Sequence, residues 1–388
     1  MRKDLEPVLE RWISVKLIDL DTAQKIRAYE NERRSGSGQR WRVLILLALG
    51  ALMLAGGVLL FVAAHWDSLS PAQRFSLVLA LMAVLHVGGA LASKRFPALG
   101  TALHSVGTIA LGGGVFLAGQ IFNLQEHWPG GVLLWALGAW VGWWALRDWV
   151  QGSLVALLTP AWIISEWIDA TEHCANAIRV VPAFILLLAI TYLTAITSDD
   201  PRSHMRRALM WIGGLALIPA ALMTVVLSIE IVGRTQFYAY YRNDRWLGFG
   251  SMILPWAFAL ILPVALAWFL RRRAAWMNGV AAVWVLVLAY SHFIGANSWW
   301  NKLSAYPLAA LGAAGLVAWG MQEDRKACIN LGLAGFALTV MFFYFSEVMG
   351  KLGRSAALIG LGLVFLLMAW ALEKTRRKLM ARMAGGAR

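Results

Sequence analysis

The sequence predicts an all-α fold: a polytopic transmembrane helix bundle of about 12 spans, preceded by a small cytoplasmic helix pair. Three observations carry that reading. The 388 residues are 60% hydrophobic with a mean hydropathy of +0.63, well above the apolar share of a water-soluble domain. Uncharged runs of about twenty residues recur along the chain, the length needed to cross a hydrocarbon core about 30 Å thick. Basic residues collect in the short segments between those runs. Lys+Arg number 35 against 21 Asp+Glu. In a soluble chain that excess would suggest nucleic acid, but cations in loops between apolar runs instead set membrane topology and attract anionic headgroups. No nucleic-acid partner is expected.

Residues 1–34 read as two short helices. Leu5, Val8, Leu9, Trp12 and Ile13 fall at helical spacing. Asp21 is placed to cap a second helix, with Gln24 three residues on and Ala23, Ile26 and Tyr29 along one side. So small a unit buries too little to stand alone, so it is expected to pack on the membrane-facing loops or on a cytoplasmic protein partner. Residues 35–41 follow as a linker, with Ser35-Gly36-Ser37-Gly38 its flexible part. No cleavable signal peptide is expected, because about forty polar residues precede the first apolar run.

The transmembrane domain, residues 42–372, divides into runs at about 42–64, 72–93, 99–122, 131–147, 150–168, 177–197, 207–229, 251–270, 274–294, 303–320, 327–346 and 355–372. Val43 to Ala64 carries no charge and fixes the direction of every later crossing. Ser70, Pro71 and Gln73 form a start signal for the second run. Only Arg147-Asp148 parts the fourth from the fifth. With the N-terminus inside, the outer segments hold only Arg74, Arg179, Arg234, Arg242, Arg245, Lys302, Lys351 and Arg354 among the basic residues. That imbalance predicts two cytoplasmic termini and an even number of spans. The tail, residues 373–388, begins Glu373-Lys374-Thr375-Arg376-Arg377-Lys378 and is expected to meet anionic lipid.

Pro160, Pro182, Pro219, Pro255, Pro263 and Pro307 lie within predicted helices, where neighbours must satisfy the backbone groups they free. Ala110, Gly114 and Ala118 make a small-residue stripe that admits another helix backbone closely, which predicts a central place for the third helix. Trp41, Trp66, Trp128, Trp167, Trp246, Trp299, Trp300 and Trp370 fall near predicted helix ends, where amphipathic rings anchor at the headgroups.

Ionisable groups inside a membrane are the default place to seek function. His86 and His104 lie on consecutive runs at similar depth, so a helical hairpin would bring them level. As a pair they could relay protons or sense pH; the plainer reading has each neutral and bonded to a backbone carbonyl or to Ser105 or Thr108. A second collection, His65, Asp67, Arg74, Glu126 and His127, gathers at the outer ends as a candidate vestibule rim; solvated helix ends are its plainer reading. Gln120, Asn123, Glu166, Glu230, His292, Asn297 and Glu347 lie at the same face. No HExxH, HxxxH or CxxC spacing occurs, and Cys174 and Cys328 are expected neither to pair nor to bind metal. Gly112-Gly113-Gly114 follows no strand and cradles no phosphate. No catalytic residue, metal or cofactor is expected, and the chain reads as a non-enzyme.

Trp12 with Leu17-Ile18 and Ala23-Ile26, the span ending Phe61-Val62-Ala63-Ala64-His65-Trp66-Asp67, then Leu69-Ser70 and Arg74, together resemble bacterial predicted membrane proteins called domain of unknown function 2157. Leu99 to Gln120 and Leu134-Trp135-Ala136 fit the same family, so the resemblance covers roughly residues 8–155. Tyr344-Phe345 through Arg377 is similar to the family's last span. His65 departs from the asparagine usual before its tryptophan–aspartate pair. The resemblance implies a multi-pass protein of the bacterial inner membrane and brings no activity to carry over. Movement or sensing of a small solute is the leading functional expectation. The alternative is a scaffold or regulator that recruits a cytoplasmic partner through its N-terminal helices.

Overall fold

The computed structural model describes residues 70–121, 127–172, 177–195, 204–230, 248–291 and 303–348, with Cys174 and separate positions within 9–26, 46–57 and 359–374. The predicted runs at 42–64 and 355–372 lie for the most part outside the described residues. Among the described residues ten helices can be followed from end to end: α1 Pro71–Ser93, α2 Pro97–Ile121, α3 Trp128–Leu146, α4 Trp149–Ala170, α5 Val180–Leu193, α6 His204–Glu230, α7 Phe249–Arg271, α8 Trp276–Ala289, α9 Ala305–Gln322 and α10 Lys326–Phe343. A π-turn, Tyr344–Val348, continues α10. Among the described residues seven helical stretches are long and apolar enough to cross a membrane, one of them the 40-residue stretch Gly250–Ala289.

Local chemistry sets the boundaries. The Ser70 hydroxyl accepts from the Gln73 N–H at 3.3 Å and the Gln73 Oε1 from the Ser70 N–H at 2.8 Å, a complete capping box with Pro71 behind it. Arg147 ends α3 in the left-handed region at φ 53°, its guanidinium 5.0 Å from the Trp143 ring. One residue later the Asp148 carboxylate accepts the Gln151 N–H at 2.7 Å and starts α4. Two residues therefore suffice to stop one helix and cap the next. Near the N-terminus the cap differs from expectation. Asp19, not Asp21, accepts the Thr22 N–H at 3.3 Å, ahead of helical residues 20–26. Asp21 pairs instead with Lys25 one turn on.

The chain forms two compact units, divided at Gln151–Gly152. In the first, α2 packs against α1 on one side and α3 on the other. Its glycines make both approaches: Gly114 faces Val78 of α1, where a Cβ would lie 2.8 Å from Cγ1, and Gly112 lies under the Trp135 ring of α3. Glycine is needed here because a β-carbon would hold the helices apart.

The most buried helix is α5, in the second unit, and not α2. Thirteen of its fourteen residues are buried, with Leu187 and Thr191 fully so. Its sequence is apolar all round, which is the mark of a helix enclosed by others rather than one facing lipid on one side. Around it lie α6, α7 and α8, and α9 pairs with α10. Pro182 and Pro307 fall in the first turns of α5 and α9, where the missing N–H costs nothing. Pro160, Pro219, Pro255 and Pro263 are interior.

The α5–α6 contact rests on Gly213, where a Cβ would collide with the Ala189 carbonyl oxygen and the Leu193 nitrogen. At Gly214 a Cβ would meet only Leu331 at 3.5 Å and Leu193 at 3.9 Å, ordinary contact distances. Gly213→Ala should therefore destabilise the detergent-solubilised protein by about 1–3 kcal/mol, and Gly214→Ala should leave it within about 0.5 kcal/mol. Thermal unfolding of the two variants side by side checks this.

Candidate functional site

In the first unit, the hairpin of α1 and α2 sets His86 and His104 level. Each lies seven residues from the connecting turn, about 10 Å along its helix. The two Nδ1 atoms are 3.1 Å apart, with ring centroids at 5.4 Å and a 35° tilt. Opposing glycines make room for the rings. A Cβ on Gly107 would lie 2.8 Å from His86 Nε2, and one on Gly89 would lie 3.0 Å from three atoms of the His104 ring. His104 is buried, as are Ser105 and Thr108.

One turn further along α2 the polarity continues. The Thr108 hydroxyl donates to the His104 carbonyl at 3.1 Å and accepts from the Gln151 amide at 2.9 Å. Trp135 of α3 donates its indole N–H to the Thr108 carbonyl at 2.9 Å. Gln151, at the start of α4, is fully buried and sits against Gly142, where a Cβ would lie 2.9 Å from its Oε1. The result is a connected set: His104, Thr108 and Gln151 buried, His86 and Trp135 half-buried.

An Nδ1–Nδ1 hydrogen bond needs one nitrogen protonated and the other bare, so the neutral pair holds complementary tautomers. One added proton leaves the bond intact, as imidazolium donating to imidazole. A second would set two positive charges face to face at the same separation. The shared bond is thus compatible with the neutral pair and with one imidazolium, and not with two. That is the arrangement's plain chemical capacity.

The outer-end candidates are placed differently. His65, Asp67 and Glu126 lie outside the described residues, as do Asn123, His292 and Asn297. Arg74 is half-buried in the first turn of α1, and His127 is exposed at the start of α3. Glu166 accepts the Trp162 indole N–H at 2.8 Å within α4, and Glu347 accepts from Ser346 in the π-turn. Among the described residues no three His, Cys, Asp or Glu side chains gather as a metal set, and both cysteines are free thiols.

A second polar set, in the second unit, escaped the sequence reading. Arg271, the first of three consecutive arginines between two predicted runs, turns inward with its side chain 1% exposed. It pairs with Glu323, donates to Asn278 Oδ1 at 3.0 Å and stacks 5.0 Å from the Trp319 ring. Glu323 also takes Arg325 at 2.7 Å and the Trp319 indole N–H at 2.7 Å. Asn278 reaches Thr194 and Thr191 of α5 at 3.3 and 3.4 Å, and Thr191 donates to the Pro263 carbonyl of α7. The signal was present: Asn278, and Thr191 with Thr194 three residues on, interrupt otherwise apolar runs.

Fold and polar sets together define a multi-pass helical membrane protein that, among the described residues, carries two connected sets of polar side chains between its helices. Residues 10–152 match the family model described as "Predicted membrane protein (DUF2157)", so the histidine set falls wholly inside the matched part. No curated protein and no solved structure matches the chain.

The Thr108–Gln151 bond makes a separable prediction. Thr108→Val removes the partner of a fully buried amide and should destabilise the protein by about 1–2 kcal/mol. Adding Gln151→Leu should recover most of that loss, because no polar group is then left unpaired. Unfolding of both single variants and the double variant in detergent measures the coupling.

Proposed function

We propose that this is a non-enzymatic protein of the bacterial inner membrane that moves or senses a small solute, with the histidine set of its first unit as the working element. The observation that carries the reading is the 3.1 Å contact between His86 and His104. A pair whose shared bond is compatible with one imidazolium has two charge states inside apolar helices, and imidazole changes charge in the physiological range. Added charge there must be matched by a change in what surrounds the α1–α2 hairpin, either by water entry or by helix adjustment. Proton-linked movement of a solute and pH-dependent sensing both follow from that coupling. Twelve spans with both termini in the cytoplasm remain the topology that the charge distribution favours, with anionic headgroups against the basic segments.

Trp135, bonded to Thr108, reports on the set. In lipid nanodiscs, tryptophan emission of the full chain should change in one step on acidification. His86→Gln and His104→Gln should each abolish that step. Profiles identical to wild type in both variants would overturn the proposal.

The scaffold reading has an observation of its own. Val15, Leu17 and Leu20 of the N-terminal segment are 63%, 71% and 65% exposed, an apolar surface suited to a cytoplasmic partner. Removal of residues 1–34 should then abolish co-purification of that partner while membrane insertion persists. Unchanged co-purification would argue against it.

A further inference from the structure

The second unit contains a groove of about 600 Å³ walled by α5, α6, α8, α9 and α10. Among the described residues Thr339 is the sole hydroxyl or charged side chain in its wall, and that hydroxyl is turned back onto the Gly335 carbonyl at 2.8 Å. The indole N–H of Trp284 is taken by the Leu308 carbonyl and that of Trp319 by Glu323. Among the described lining residues only the Trp276 indole at the rim is left to meet water, too few partners to hold one inside, so the groove is poorly suited to a polar solute. It is shaped for hydrocarbon, and it opens sideways: Trp276, Val280 and Leu311 along it are 62%, 58% and 63% exposed.

Its length and its ends name the occupant. From Trp276 to Leu288 the α8 wall runs about 18 Å at 1.5 Å per residue, close to the half-thickness of about 15 Å of a hydrocarbon core. That is the depth of one acyl chain from one leaflet. Trp276 lies three residues after Arg271-Arg272-Arg273, and Trp319 four residues before Glu323-Asp324-Arg325-Lys326. Glu323 bridges Arg271 and Arg325 and so binds the two turns together. Arg206 at the start of α6 donates to the Leu270 carbonyl at 2.8 Å and joins the same end. Arg272, Arg273, Lys326 and Arg207 are exposed there, with Asp324 the exposed carboxylate among them.

We infer that this groove is a binding site for an anionic phospholipid, with one acyl chain along α8 and α9 and the headgroup phosphate at the Arg272–Arg273 turn. A basic pocket at one end of a cleft between spans is the arrangement that selects anionic headgroups. Aromatic Trp276 and Trp319 mark the level at which chain gives way to headgroup.

The full chain, purified from nanodiscs holding equal phosphatidylglycerol and phosphatidylcholine, tests this by native mass spectrometry. Wild type should retain one phosphatidylglycerol in preference to phosphatidylcholine. Arg272→Gln and Arg273→Gln should each weaken that preference roughly fivefold. Gly315 lines the groove, and a Cβ there meets nothing within 4 Å, so Gly315→Leu should fill the space and expel lipid of either headgroup without lowering the unfolding temperature. Equal retention of both lipids by wild type would overturn the inference, as would lipid retention unchanged by Gly315→Leu. A Gly315→Leu variant that loses self-association and keeps its lipid would assign the groove to a second copy of the chain. Displacement of the retained lipid by inorganic phosphate alone would assign the basic end to a free anion.

Discussion

A polar side chain on a membrane-spanning helix has no water to fall back on, so its partner must come from another part of the same protein. That constraint shapes both units. In the first, Thr108 and Gln151 satisfy one another at 2.9 Å and the two imidazoles share one hydrogen bond. In the second, the Arg271 guanidinium is met by a carboxylate, an amide oxygen and an indole face. Breaking one member of such a set strands the others in a low-dielectric setting, a larger loss than the bond itself contributes. Helix packing in each unit is therefore specified by a few polar contacts, with the apolar surface supplying bulk contact area and little selectivity.

Close backbone approach is the second requirement, and glycine meets it. Gly89, Gly107 and Gly142 each lie against a polar side chain of the first unit, and an added Cβ would crowd that side chain in every case. Gly213 does the same for backbone against backbone in the second unit. The small-residue stripe read from Ala110, Gly114 and Ala118 pointed to the right helix for its own unit, yet the contacts come from Gly112 and Gly114 facing different neighbours. A stripe at four-residue spacing shows that one face is narrow. It does not show that a second face, two residues round, is equally so.

Much of the architecture was legible because the bilayer imposes a length. The ten observed helices coincide with ten of the predicted runs, and the Ser70–Gln73 cap and the Arg147-Asp148 break act through local chemistry that a sequence displays directly. What was hidden depended on partners distant along the chain. Arg271 looked like its neighbours Arg272 and Arg273, and what turns it inward includes Glu323, fifty-two residues on. Asp19 and Asp21 were equally good caps by composition; the choice followed from where the turn at Leu17 and Ile18 ends. The central place of α5 was in principle readable from its uniform apolarity, a signal easily passed over among so many apolar helices.

The histidine pair and the apolar groove make opposite demands on their surroundings, and this argues against assigning them one task. A site that gains a proton must change its solvation, so the α1–α2 hairpin is useful only if something near His86 can admit water or yield. The groove walled by α8 and α9 works only while it stays dry, since the Thr339 hydroxyl is already turned to its own backbone. The hydrogen-bonded histidines therefore lie in the first unit and the dry groove in the second. An account that sends a polar solute past Trp284 would have to supply hydrogen-bond partners which that wall does not have.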